Sequence, residues 1–354
     1  MTVIDADAHV VETEATWDYM DPQDQKYRPV LVSKRGDGKE AFWMVEGKLR
    51  RNARLGETSE DLEAVSRRIG RNVVTPEEAR TGLDIEARLR HLDTLGIDIQ
   101  IMFPTVFIEE VAVTAKGEIA ICKGWNRWLA AIWERGQGRL RWTCVLPLQT
   151  IEAALDELRF AKEHGACGVF MRPIEGQRVM TDPYFYPVYE EASRLNLAMG
   201  VHISNGNAAV CDLLGTPFAN FRGQTAIACH SLIMSDVPRL FPELRWGFVE
   251  ASAQWIPWIV KETASRFRGR GSALAPNEIL KHCKIYVTCQ NDDDLPYILQ
   301  YAGEDNLVIG TDYGHTDTSS NVTAISQFIE ETPLDPRIVR KILDDNPRAL
   351  YGLG

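Results

Sequence analysis

Five residues carry the chemistry this sequence offers most plainly: Asp7 and His9 in IDADAHV, His202 in AMGVHIS, Glu250 in WGFVEAS and Asp312 in VIGTDYGH. Each stands at the C-terminal end of a short apolar run. Side chains at i and i+2 of a strand point the same way, so Asp7 and His9 can share one face. Three carboxylates on buried strands would lose their hydration and repel one another. A divalent cation relieves both costs, and mixed carboxylate and imidazole ligands suit Mn, Fe or Zn. One ion is expected, or two if more ligands join. Asp312 is also a candidate proton donor or base. Arg172, at the end of ACGVFMRPI, could hold a substrate carboxylate by a bidentate pair. Glu250 has a structural alternative, a salt bridge to Arg172 or Arg245. His230, in the apolar stretch QTAIACHSLIMSDV, is either a core residue or a further group reaching metal or substrate. His315 and Asp317 follow Asp312 closely and are read as substrate contacts or loop hydrogen-bonders. His91, His164 and His282 are read as surface or capping residues.

The elements that would position these groups are eight short apolar runs: 4–11, 97–105, 140–148, 166–174, 197–204, 244–251, 284–290 and 307–312. Most are too apolar to have one wet face, as expected of parallel strands buried on both sides. Helix-length stretches with apolar stripes lie between them. In DIEARLRHLDTLG, Asp84 is placed as the N-cap and Gly96 at the C-terminal end. DPYFYPVY, 182–189, reads as a helix start. Strands alternating with helices predict an α/β fold, a (β/α)8 TIM barrel forming one domain over 1–354. Two long connections interrupt the pattern, an insertion or lid at 11–83 and a helical insertion at 205–243. Both follow strand ends and would cap the mouth where barrel enzymes keep their sites.

Composition narrows the classes. The 354 residues carry a formal charge of −11, from 39 basic and 50 acidic side chains, without long like-charge runs. That balance speaks against a nucleic-acid or anionic-membrane partner. No apolar run reaches the roughly 18–20 residues of a membrane span. The N-terminus lacks the pattern of a signal peptide. Seven cysteines without a CxxC pair fit buried thiols in a reducing compartment, so a cytoplasmic location is expected.

The segments IDADAHVVE, LFPELRWGFVEASAQWIPWIV, GTDYGHTD and DNPRALYGL together resemble the amidohydrolase superfamily. More narrowly, they resemble its second branch, which contains non-oxidative decarboxylases of aminocarboxymuconate semialdehyde and of hydroxybenzoates. The resemblance covers nearly the whole chain and implies a divalent metal at the strand ends of a distorted barrel. Position by position, it puts the strand-one pair on Asp7 and His9, the strand-five histidine on His202 and the strand-eight aspartate on Asp312. Two departures stand out. Strand one has Asp7 where many members have histidine, a swap the hydroxybenzoate decarboxylases share. Strand six has Glu250 where decarboxylases of the branch usually have histidine. The bridging lysine or glutamate that binuclear hydrolases carry on strand four is also missing.

Three functions follow as expectations. The first is a metal-dependent decarboxylase or hydrolase of a small, carbon-rich organic acid. The second is a non-heme iron monooxygenase, with Glu250 and His230 supplying ligands for a second iron. The third is a non-catalytic binding barrel. Trp17, Trp43, Phe103, Phe107, Phe170 and Trp255 are candidates for a substrate wall or for helix packing. By analogy a homodimer is expected, with Trp43 and Met44 of the first insertion read as exposed and contributing to its interface.

Overall fold

The computed structural model describes residues 1–33, 41–269 and 274–354. Residues 34–40 of the first insertion lie outside the described residues. Eight parallel strands run in sequence order: β1 Ile4–Val10, β2 Ile99–Pro104, β3 Leu140–Cys144, β4 Ala166–Met171, β5 Ala198–His202, β6 Trp246–Val249, β7 Ile285–Cys289 and β8 Leu307–Ile309. A helix follows each: α1 Ile85–Leu95, α2 Ala115–Arg135, α3 Ile151–Glu163, α4 Tyr186–Arg194, α5 Gly223–Met234, α6 Ile256–Gly269, α7 Leu295–Ala302 and α8 Ala324–Glu331. This is the (β/α)8 barrel expected from the strand runs. Every residue of β1, β4, β5, β6 and β8 is buried, as sheet faces packed on both sides require.

Local signals explain the helix ends. The Asp84 side chain accepts a hydrogen bond from the Ala87 N–H, and Gly96 turns left-handed at φ 69°. Asp182 caps a short 3-10 turn, Pro183–Phe185, that leads into α4. Among the described residues, no helix is long and apolar enough to cross a membrane. Six of the seven cysteines are buried, and all seven are free thiols.

The barrel closes between β8 and β1, immediately below the predicted ligands. The Asp7 carbonyl accepts from the Thr311 and Asp312 N–H groups (3.1 and 2.9 Å), and the His9 N–H donates to the Tyr313 carbonyl (2.8 Å). Gly310 permits this approach, because a Cβ there would stand 2.3 Å from the Asp7 Cβ. A buried polar chain sits behind the seam. The Asp5 carboxylate accepts from Gln100 Nε2 and from Thr311, while the Arg88 guanidinium donates to Gln100 Oε1 and to the His9 carbonyl. Burial pushes the Asp5 carboxyl up to about 6 despite those bonds.

The first connection contains a three-stranded antiparallel sheet, Val30–Ser33, Ala41–Val45 and Lys48–Asn52, and a helix, Ser59–Ile69. Trp43 belongs to the buried face of that sheet, packed edge-on against Trp17. The expectation that it is exposed for a dimer interface is therefore corrected: alternation in AFWMV turns Ala41, Trp43 and Val45 inward together. Glu12 anchors the start of this connection. Its carboxylate accepts from the Thr105 and Val106 N–H groups and from Trp125 Nε1.

Burial pushes the Glu12 carboxyl up from 4.5 to about 7. Between those values the folded chain keeps a proton that the unfolded chain has released, so Glu12's contribution to stability falls as pH rises through that window. Relative to Glu12→Gln, the native protein is expected to lose about 2–3 kcal/mol between pH 5 and pH 8. Urea unfolding of both proteins at the two pH values measures this. A change of opposite sign would mean that the three N–H donors outweigh burial.

Candidate functional site

The five predicted ligands meet at the C-terminal mouth of the barrel. His9 Nε2 lies 3.0 Å from His202 Nε2, 3.4 Å from Asp312 Oδ1, 3.7 Å from Glu250 Oε2 and 3.9 Å from Asp7 Oδ1. His202 Nε2 lies 3.2 Å from Glu250 Oε2 and 3.6 Å from Asp7 Oδ1. All five residues are buried, with exposures between 0% and 5%. Strand geometry alone does not aim them. Glu250 and Asp312 follow their strands in the left-handed region, at φ 66° and 50°. Such backbone costs a non-glycine residue on the order of 1–3 kcal/mol and clusters at functional sites.

The hydrogen-bond network fixes which ring nitrogens face inward. His9 Nδ1 is 2.9 Å from the Pro104 carbonyl and His202 Nδ1 is 3.3 Å from that of Ile203. A carbonyl can only accept, so each Nδ1 carries a proton, and each ring turns its Nε2 toward the other. Asp7 Oδ1, Glu250 Oε2 and Asp312 Oδ1 are buried at the same place and accept no hydrogen bond. Burial, followed by the charges of Asp312, Asp317 and Asp7, pushes the Glu250 carboxyl well above its ordinary range. Burial, followed by Asp317 and Asp7, does the same to Asp312. Convergent imidazole nitrogens and unbonded carboxylate oxygens are what a divalent cation would satisfy, so these residues fit one.

His315 joins the site. Its ring stacks on His9 at 3.7 Å, and its Nδ1 is 2.9 Å from Asp312 Oδ1. Thr105 Oγ1 donates to the Val10 carbonyl and so accepts from His315 Nε2 at 3.1 Å. The atoms group into two overlapping sets that could each hold an ion: Asp7, His9 and His202, and His9, Glu250, Asp312 and His315. Ser320 donates to the outer oxygen of Asp312 and fixes that carboxylate. Above the cluster opens a cavity of about 350 Å³ whose floor includes Glu250. Ile108, Ile203, Phe218 and Phe221 supply apolar walls, and Arg54, Arg222 and Asp317 supply charge.

Residues 4–353 match the family described as Amidohydrolase. The chain belongs to that family. The 2-amino-3-carboxymuconate-6-semialdehyde decarboxylase of Dictyostelium discoideum is 21% identical over 262 residues, covering 70% of this chain and 73% of that protein. Among solved structures, an amidohydrolase from Mycobacterium avium subsp. paratuberculosis K-10 superposes with a TM-score of 0.78 at 19% identity, covering 100% of this chain and 98% of that one. The 5-carboxyvanillate decarboxylase of Sphingomonas paucimobilis superposes at 0.70 and 16% identity, covering 100% and 99%. At these identities the structural likeness is one of fold.

Within this amidohydrolase barrel two predicted site residues move elsewhere. Arg172 does not face the cavity above the cluster. Its Nε and Nη2 bond to Glu175, and its Nη1 donates to the Phe107 and Glu109 carbonyls. All of its charge serves a buried ion pair that ties the strand-two loop to the strand-four loop. His230 lies on α5, half-buried, with Arg266 and Glu262 of α6 as its charged neighbours. It belongs to neither ligand set. The structural alternative for Glu250 is also set aside, since Arg172 is occupied and Arg245 bonds Asn196 and the Leu350 carbonyl.

The aromatic wall is corrected in part. Phe103 and Phe170 flank the His202 ring, at 5.1 and 5.7 Å between centroids. Trp17, Phe107 and Trp255 pack against Trp43, Trp125 and Phe248. His91 is more than a surface residue, with its Nδ1 2.8 Å from the Tyr313 hydroxyl.

His9→Ala or His202→Ala is expected to weaken divalent-metal binding at least about tenfold, while His230→Ala leaves it unchanged. Equilibrium dialysis with elemental analysis reads this. Arg172→Met is expected to cost about 3–5 kcal/mol of stability by stranding Glu175, with metal affinity retained. Denaturation together with metal titration separates the two effects.

Proposed function

We propose that this protein is a metal-dependent enzyme that removes CO₂ without oxidation from a small, carbon-rich organic acid. One observation carries the reading: unshielded buried ligands lie directly beneath a cavity with apolar walls and two arginines. Asp7, His9 and His202 would hold the ion, with Glu250, Asp312 and His315 beside them. A bound divalent cation supplies Lewis acidity, stabilising negative charge on substrate oxygens as the carbon–carbon bond breaks.

The chain's own residues do the rest. Pro104 and Ile203 carbonyls hold the His9 and His202 rings in the tautomer that presents Nε2 inward. Ser320 holds one oxygen of Asp312 and leaves Oδ1 facing the centre. A proton carried on that oxygen is transferred to the carbon that keeps the electron pair when CO₂ departs. Phe218, Phe221, Ile108 and Ile203 would exclude water from the carbon skeleton.

Decarboxylation is favoured over hydrolysis by the family relatives that carry that name and by the absence of a strand-four bridging residue. The oxygenase alternative relied on His230 beside Glu250, and the two are not brought together. Arg54 and Arg222 replace Arg172 as the groups available to a substrate acid.

A panel of aromatic and unsaturated acids, incubated with metal-loaded protein under argon, is expected to yield CO₂ at the same rate as in air. Asp312→Asn should lower that rate at least about 100-fold. Turnover that requires O₂ would refute the proposal.

A further inference from the structure

The two arginines of the cavity differ in how their charge is met. Arg54 Nη2 lies 3.8 Å from the Asp317 carboxylate, and the Arg54 charge also acts on Glu250. Arg222 is half-buried in the wall, and its Nη2 donates to the Ser319 hydroxyl at 2.8 Å. That acceptor is neutral, and among the described residues no carboxylate lies within ion-pair distance of Arg222. A full positive charge therefore stands at the edge of an otherwise apolar wall with an uncharged partner.

Local backbone puts it there. Phe218–Arg222 forms a π-helical turn after Pro217, closed by the Gly223 N–H bonding to the Phe218 carbonyl. The wider π turn lets Phe218, Phe221 and Arg222 all line the cavity. Single π turns recur at functional sites because they re-aim side chains that an α-helix would send elsewhere. Ser319 is itself anchored, since its hydroxyl also reaches the Glu250 carbonyl at 3.5 Å. The guanidinium is thus tied through Ser319 to the Glu250 backbone at the cavity floor.

We propose that Arg222, positioned by the Ser319 hydroxyl, is an anion subsite that selects substrates bearing an oxyanion remote from the reacting carbon. The substrate would present one acid group to the buried ligands. Its apolar body would lie against Phe218 and Phe221, and a second carboxylate would pair with the guanidinium in bidentate fashion. This deepens the proposed function and rests on it, because the first acid group is assigned to the metal. Arg222 is a specificity residue here, with no part in the bond-breaking step.

Calorimetric titration tests this on the metal-loaded protein with benzoate, isophthalate and 4-carboxycinnamate, which differ in the reach of a second carboxylate. At least one diacid is expected to bind about tenfold or more tightly than benzoate. Arg222→Met should weaken diacid binding far more than benzoate binding and so erase that preference, and Arg222→Lys should restore part of it. Diacids that bind no better than benzoate to the native protein would overturn the subsite. So would a preference that survives in Arg222→Met. Benzoate binding that persists after the metal is chelated would instead refute the metal-based reading, leaving the diacid preference to be judged on the variants alone.

Discussion

His202 Nε2 and three carboxylate oxygens lie within 4 Å of His9 Nε2, all on buried residues. That convergence is the constraint on which this structure turns. Each atom is electron-rich, none can donate to the others in its ordinary ionisation state, and burial raises the cost of every charge. A divalent cation reverses the sign of each interaction at once. The pieces around the cluster are devices for holding it together. Left-handed backbone at Glu250 and Asp312 aims the carboxylates, backbone carbonyls fix the tautomers of His9 and His202, and Ser320 restrains Asp312.

The barrel supplies the stiffness this requires. β1 carries two of the ligands and is clamped on both sides, by β2 along its length and by β8 through the Asp7 carbonyl and Gly310. Asp5, Gln100 and Arg88 extend the clamp below the site, so the His9 backbone is fixed by a buried guanidinium as well as by the sheet. The substrate side is built differently. Helix Ala208–Leu214, in the connection after β5, has no buried residue, and the π turn that follows it is only partly buried. The candidate ligands are thus held stiffly, below a wall that is lightly packed.

Much of this was legible in the sequence, for identifiable reasons. Runs of apolar residues bounded by caps such as Asp84 and Gly96 specify strands and helices locally. Ligands at strand ends follow from the strands, so Asp7, His9, His202, Glu250 and Asp312 could be picked together. His315 was half-visible, as its spacing from Asp312 suggested proximity while its stacking on His9 depends on Gly314, which turns the chain at φ 92°. Arg172 was misplaced because its partner, Glu175, is only three residues away across a turn that the strand pattern does not reveal. His230 was misplaced because a helix pattern does not say which neighbour a half-buried face will meet. Asp5, Glu12 and Arg88 carry a weaker signal, since a charged residue inside an apolar stripe implies a buried partner without naming it.

The most direct measurement is the melting temperature of the purified protein before chelation, after complete removal of metal, and after adding back one divalent ion at a time. If the convergent ligands hold a cation, stripping should lower the midpoint, and the right ion should restore it with a stoichiometry of one or two per chain. At a thousandfold excess over its dissociation constant, the ion should contribute about 4 kcal/mol. A midpoint that does not fall on stripping, with no ion retained after reconstitution, would contradict the central claim.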